Sequence, residues 1–157
     1  MKILLLGGAG FIGSNLTYRL LKETNHDLIV YDTNLKKLDF INEDKNTRVE
    51  MFKGNALANN EIIKELIMQS DLVINLIAIA NPAVYVENPL LIYELDCKFA
   101  NEVTEMCYYL NKRLIFFSTS EIYGKNPDNP FVEYDSNCVY GQPHIHRWIY
   151  ARCKSFA

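Results

Sequence analysis

The sequence predicts an α/β chain built on a doubly wound parallel sheet, and three observations carry that prediction. Five short apolar runs, at 3–6, 28–31, 48–52, 72–77 and 113–118, alternate with stretches of helical periodicity, the pattern of parallel strands joined by crossovers. The first run ends in Gly7-Gly8-Ala9-Gly10-Phe11-Ile12-Gly13, a G-x-x-G-x-x-G loop leading into an amphipathic segment. The second run closes on Asp32, about 20 residues further on, where such folds place an acid against the ribose of a dinucleotide.

Taken in order, the run at 3–6 is too short for more than one buried strand, and the helix that follows places Phe11, Ile12, Leu16, Leu20 and Leu21 on one stripe. The glycines therefore sit between strand and helix. Gly7 permits the tight turn, Gly10 lets a pyrophosphate approach the positive helix N-terminus, and Gly13 lets that helix pack close to the sheet. The run at 28–31 is the second strand. In the third, Arg48 to Phe52, Glu50 interrupts the apolar pattern and leaves the period ambiguous. The fourth, 72–77, is apolar enough to be covered on both faces. Asn88 as N-cap and Pro89 at the first helical position then start the longest helix, which runs to about Leu110 and turns Leu95, Phe99, Val103, Met106 and Leu110 toward the sheet. Tyr93, Tyr108 and Tyr109 lie elsewhere on it, available to a partner surface or, as scattered helix aromatics usually are, to packing. After the fifth strand, Lys125 to His146 is a long polar loop rich in Pro, Asn and Asp, and a last helix begins near Arg147.

A chain of 157 residues suffices for one domain around one core, and 49% hydrophobic with 22% charged residues is the balance of an ordinary globular protein. The net charge of −3 supplies no basic field for nucleic acid. Glycines interrupt the apolar N-terminus before it could act as a secretion signal, and no segment reaches membrane-spanning length. Cys97, Cys107, Cys138 and Cys153 form no C-x-x-C pair, which fits reduced thiols in a cytoplasm. His144-x-His146 has no further ligand at metal spacing, so no metal is expected.

The Asp32 carboxylate accepts from ribose hydroxyls and repels a 2′-phosphate, which favours NAD. Lys36 and Lys37 are close enough to compensate a phosphate, which keeps NADP open. The fifth run continues into Ser118-Thr119-Ser120-Glu121-Ile122-Tyr123-Gly124, so hydroxyls and a carboxylate emerge at the strand end where open α/β sheets bind ligands. Beyond the loop, Tyr150 and Lys154 stand at i,i+4, on one face of a helix. A free phenol ionises near pH 10, so a tyrosine base working near neutrality needs about 4 kcal/mol of stabilisation of its phenolate. A neighbouring ammonium and the positive ring of an oxidised nicotinamide both supply it.

Gly7-x-x-Gly10-x-x-Gly13, Asp32, Gly54-Asn55, Ala78-Ile79-Ala80, Ser118 to Gly124 and Tyr150-x-x-x-Lys154, in this order, resemble the extended short-chain dehydrogenase/reductases of the NAD-dependent epimerase/dehydratase type that act on nucleotide sugars. The resemblance spans the whole chain and implies a Rossmann fold. Ala78-Ile79-Ala80-Asn81-Pro82, Tyr85, Asn88-Pro89, Tyr93-Glu94-Leu95-Asp96 and Arg147-Trp148-Ile149-Tyr150 are similar to the UDP-glucuronate decarboxylase (dehydrogenase) domains of bifunctional polymyxin-resistance proteins, whose UDP-4-keto-pentose product serves lipid A modification.

This resemblance implies that Gly7, Gly10, Phe11, Ile12, Gly13, Asp32, Asn55 and Ala78 bind NAD, and that Tyr85, Thr119 and Ser120 meet the sugar. It makes Tyr150 the base at the sugar O4, with Thr119 beside it. Lys154 binds the nicotinamide ribose and lowers the Tyr150 pKa. Ser120 and Glu121 stand near the carboxylate and C5, where Glu121 assists proton handling. Ser120 replaces the aspartic acid that related 4,6-dehydratases use to protonate the departing hydroxyl, which disfavours water loss. A sugar 4-epimerase, a UDP-xylose-forming decarboxylase and a catalytically silent NAD-binding module remain alternatives. Asn55 departs from the family's usual aspartate, although its amide oxygen still accepts. The family's substrate lobe and an arginine used in decarboxylation lie beyond the position of Ala157. Residues 1–157 are therefore expected to be an incomplete NAD-binding domain without that lobe, inactive alone, with homo-oligomers possible at full length.

Overall fold

The computed structural model describes residues 1–43 and 48–157. In chain order it begins with β1 (Lys2–Leu6), α1 (Phe11–Glu23), β2 (Asp27–Asp32), α2 (Asp39–Glu43), β3 (Val49–Lys53), α3 (Asn60–Gln69) and β4 (Leu72–Asn75). There follow α4 (Pro82–Glu87), α5 (Pro89–Tyr93), a π-helical segment Glu94–Phe99, α6 (Ala100–Tyr109), β5 (Arg113–Phe116) and α7 (Ile149–Phe156). The described residues divide into two compact units: Met1–Ile77 with Asn101–Phe117, and Ala78–Ala100 with Ser118–Ala157.

The first unit holds the sheet, five parallel strands in the order β3-β2-β1-β4-β5. Strand progression runs outward from β1 through β2 to β3, then returns to the other side of β1 for β4 and β5. The reversal places a topological switch point at the carboxyl ends of β1 and β4, where open sheets of this kind bind ligands. Ile3 to Leu6 are almost wholly buried because β1 is bonded on both edges. Leu16, Leu20 and Leu21 of α1 pack on a cluster that includes Ile3, Leu5, Leu28, Val30 and Ile74.

Phe11 and Ile12 do not join that stripe, being 79% and 52% exposed. They occupy the first turn of α1, just past the strand ends, where there is no sheet left to cover them. The ambiguous third run is β3, an edge strand displaced by one residue from the predicted span; its exposed Glu50 accepts from Lys2 Nζ on β1 at 2.6 Å. The fourth run leaves the sheet at Asn75, whose side-chain oxygen accepts from the Ile77 N–H and turns the chain. The fifth ends at Phe116, short of the predicted Ser118.

The long helix starts as predicted, with the Asn88 side chain accepting from the Leu91 N–H. Asn81-Pro82 repeats that signature and starts α4, a short helix outside the predicted elements. The predicted stripe slips in phase along the long helix. Ile92, Asp96, Phe99, Ala100, Val103 and Cys107 are buried, while Leu95, Met106 and Leu110 are only half-buried. Phe99 and Val103 of the predicted stripe are thus buried, and the inward face takes Asp96 and Cys107 in place of Leu95 and Met106. In the second unit Tyr85, Ile92 and Tyr150 form a buried cluster with Ile79, Val84 and Ile149 against it. The predicted loop is drawn back on itself: Lys125 N–H donates to Val139 O at 2.6 Å and Val139 N–H to Tyr123 O at 3.1 Å.

Candidate active site

Within the first unit, the glycine loop is built as its spacing demands. Gly7 has φ +78°, and a Cβ there would lie 3.0 Å from the backbone of Leu76 and Ile77. At Gly13 a Cβ would sit 2.5 Å from the Gly7 carbonyl oxygen, so only glycine lets α1 start this close to the loop. Gly10, by contrast, has open space beyond a single 3.3 Å contact to Gly7 O. It is the N-cap of α1, and neither a side-chain cap nor an acidic residue occupies that first turn. Free helix N–H groups next to a bare glycine are the donor set that a pyrophosphate needs.

Asp32 organises this loop directly. Its Oδ2 accepts from the Ala9 N–H at 3.0 Å, and its Oδ1 accepts from the Asn34 N–H at 3.2 Å. Phe11 and Ile12 present their side chains to solvent beside the bare turn. Asn55 caps a short 3-10 turn, its side-chain oxygen accepting from the Leu57 N–H at 3.1 Å, so one of its two acceptor positions is already used.

The second unit gathers the candidate acid–base residues. Tyr85 and Tyr150 stack with ring centroids 4.8 Å apart and planes 8° from parallel. Arg147 lies over the other ring of the stack, its Cζ 5.1 Å from the Tyr85 centroid, and donates two hydrogen bonds to the Glu121 carboxylate at 2.8 and 3.0 Å. Thr119 sets the turn that carries Glu121: its hydroxyl oxygen accepts from the Glu121 N–H at 3.2 Å. Ser120 is exposed, and Ala78 lies exposed on the coil before α4. Tyr85, Thr119, Glu121, Tyr150 and Lys154 thus belong to one unit; Gly7, Gly10, Gly13, Asp32 and Asn55 belong to the other.

The Lys154 Nζ is 5.9 Å from the Tyr150 ring centroid and 3.3 Å from Asp96 Oδ1, with both charged side chains almost fully buried. Asp96 Oδ2 accepts from the Ile79 N–H at 3.3 Å. Burial pushes the Asp96 carboxyl up and the Lys154 amine down, each opposed by the charge of the other. The Tyr150 phenol is pushed up to about 12, first by burial and then by the Asp96 and Glu121 carboxylates. Burial first, and then the two carboxylates, thus act against the lowering expected from Lys154. Two functional candidates lay outside the sequence-based site, Asp96 and Arg147. The signal for Asp96 was present: a carboxylate in phase with Ile92 and Phe99 on a buried helix face requires a partner.

The model of the "NAD dependent epimerase/dehydratase family" matches residues 3–157. The chain belongs to this family. It is similar to the crystal structure of PbgP3 protein from Burkholderia pseudomallei at 35% identity, with a TM-score of 0.91 over 98% of this chain and 46% of that one. The UDP-Glc/GlcNAc 4-epimerase of Campylobacter jejuni is 26% identical with a TM-score of 0.80, over 99% of this chain and 46% of its own. The UDP-glucuronic acid 4-epimerase of Bacillus cereus, solved in complex with NAD, shares the fold at 24% identity and a TM-score of 0.78, over 99% and 50% of the two chains. The chain spans about half the length of these structures. The family is NAD dependent, and its structural neighbours include nucleotide-sugar epimerases and dehydratases. No helix among the described residues is long and apolar enough to cross a membrane.

Proposed function

We propose that this chain carries the cofactor-binding and acid–base residues of an enzyme that oxidises a nucleotide sugar at C4, with oxidative decarboxylation of UDP-glucuronate to a UDP-4-keto-pentose as the reaction. The observation that favours a uronic acid over a neutral sugar is the Arg147 guanidinium, stacked on Tyr85 next to Tyr150. Its fork now holds the Glu121 carboxylate, and a substrate carboxylate can exchange with Glu121 on it.

Gly7, Gly10 and Gly13 would hold the pyrophosphate of NAD, with Phe11 and Ile12 beside it. Asp32 would take the adenosine ribose, Asn55 the adenine, Ala78 the cofactor channel and Lys154 the nicotinamide ribose. NAD supplies the hydride acceptor and a positive charge that favours the phenolate. Tyr150 removes the O4 proton, and Thr119 holds that oxygen. The 4-keto group turns the uronic acid into a β-keto acid, whose carboxylate leaves as carbon dioxide because the carbonyl stores the electron pair as an enolate. Glu121, released from Arg147, handles the proton at C5 while Ser120 faces the carboxylate; Tyr85 would line the sugar site from behind Tyr150 and Arg147, which cover its ring.

The test is incubation of the protein, purified at its natural length, with NAD and UDP-glucuronate, followed by mass spectrometry. A product lighter by carbon dioxide, together with NADH, is expected. An isomer of unchanged mass would replace this reaction with 4-epimerisation, and no product alongside intact NAD binding would favour the silent module.

A further inference from the structure

We propose that Asp96 is a positioning residue for the acid–base pair: from its π turn, the carboxylate holds the Lys154 side chain in place and in its ammonium form beside Tyr150. The inference rests on taking Tyr150 and Lys154 as that pair. Asp96 is 0% exposed and Lys154 4%, so water cannot perform either task. Each carboxylate oxygen has a separate duty, Oδ2 accepting from the Ile79 backbone and Oδ1 facing the ammonium, so the carboxylate is itself anchored. The anchor sits on Glu94–Phe99, a rare helical form that recurs at functional sites.

A purely structural role explains the pair poorly. Buried ion pairs seldom stabilise a fold more than apolar residues of the same volume would, so stability alone gives no reason for two charges in this interior. Without the carboxylate, burial would drive the Lys154 amine toward its neutral form. The groups that face the pair are Tyr150 and Cys153 on α7, Cys97 beside Asp96 and Tyr85 on α4, with Glu121 acting on Tyr150 and Tyr85. Asp96 is the carboxylate that forms the ion pair with Lys154.

The experiment uses the protein labelled with 13C,15N-lysine, with the Lys154 signal assigned by its loss in Lys154→Met. Asp96→Asn is expected to move the Lys154 titration down by at least one pH unit and to weaken NAD binding about tenfold. The double variant Asp96→Asn/Lys154→Met should bind NAD no worse than Lys154→Met alone. An unmoved Lys154 titration, or additive losses in the double variant, would overturn the role. If Asp96→Asn does not fold, Asp96→Glu decides: the added methylene displaces the ammonium, so Lys154 stays charged while NAD affinity falls, and parental affinity overturns the proposal. No sugar enters these measurements. A failure of the UDP-glucuronate reaction therefore leaves them intact, and turnover with an unmoved Lys154 titration refutes Asp96 alone.

Discussion

Replacing Asp32 by alanine should both loosen the glycine loop and narrow the choice between NAD and NADP. The carboxylate serves two backbone donors whose surroundings differ. The Ala9 N–H belongs to a residue only 4% exposed, whereas Asn34 is open to water, which can replace the lost acceptor there. Stranding the buried donor costs about 1–3 kcal/mol. At about 2–4 °C of Tm for each kcal/mol, the loss is visible in a thermal melt. Asp32→Asn should not restore the parent, because an amide offers one acceptor where the loop uses two oxygens. For the cofactor, losing a charged acceptor on the ribose is worth about 1.5–3 kcal/mol, or roughly 10–150-fold in NAD affinity. NADP should lose less, since the same change removes the repulsion of its 2′-phosphate. Titration calorimetry with both cofactors measures the two constants directly. Equal affinity of the unmutated protein for NAD and NADP would falsify the assignment of Asp32.

Tyr150→Phe keeps the ring that stacks on Tyr85 and removes only the proton acceptor, so NAD affinity should hold while C4 oxidation falls about 10²–10⁴-fold, checked by NADH formation against a binding isotherm. Alkaline pH should destabilise the fold. Cys107 and Cys153 are pushed by burial from 9.0 to about 11 and about 12, and Tyr150 from 10.0 to about 12, so these groups keep their protons when folded and release them when unfolded. A group raised in the folded state contributes fully below its unfolded value and loses that contribution as pH climbs toward the folded value. Each thiol should therefore remove about 1.4 kcal/mol at pH 10, and urea melts at pH 8 and 10 should show a smaller drop for Cys153→Ala than for the parent. Arg48 donates to the carbonyl oxygens of Leu21, Thr24 and His26 at the end of α1. Arg48→Ala should lower stability by about 1–3 kcal/mol with an unchanged urea slope, and a drop below about 0.3 kcal/mol would show those bonds to be idle.

Features set by neighbours in the chain were legible in the sequence. The glycine spacing specified a loop with φ +78° at Gly7 and no room at Gly13, and Asn88-Pro89 specified a helix start, because sterics and capping act within a few residues. The same locality placed Tyr150 and Lys154 on one helix face, and the order of apolar runs anticipated the parallel sheet. Phase and span were less legible. On the long helix Asp96 and Cys107 face inward where Leu95 and Met106 were expected, and β3 read ambiguously because an edge strand need not be apolar on both faces. Only the tertiary structure brought Glu121 to Arg147, Tyr85 onto Tyr150 and Asp96 to Lys154, since each pair joins separate elements by packing rather than by spacing. It also decided what surrounds Tyr150, burial first and then the carboxylates. The sequence supplies an ammonium four residues away, whereas the buried carboxylate that offsets it comes from a distant helix, and Coulomb energies answer to distance in space and to burial, neither of which is written in the order of residues.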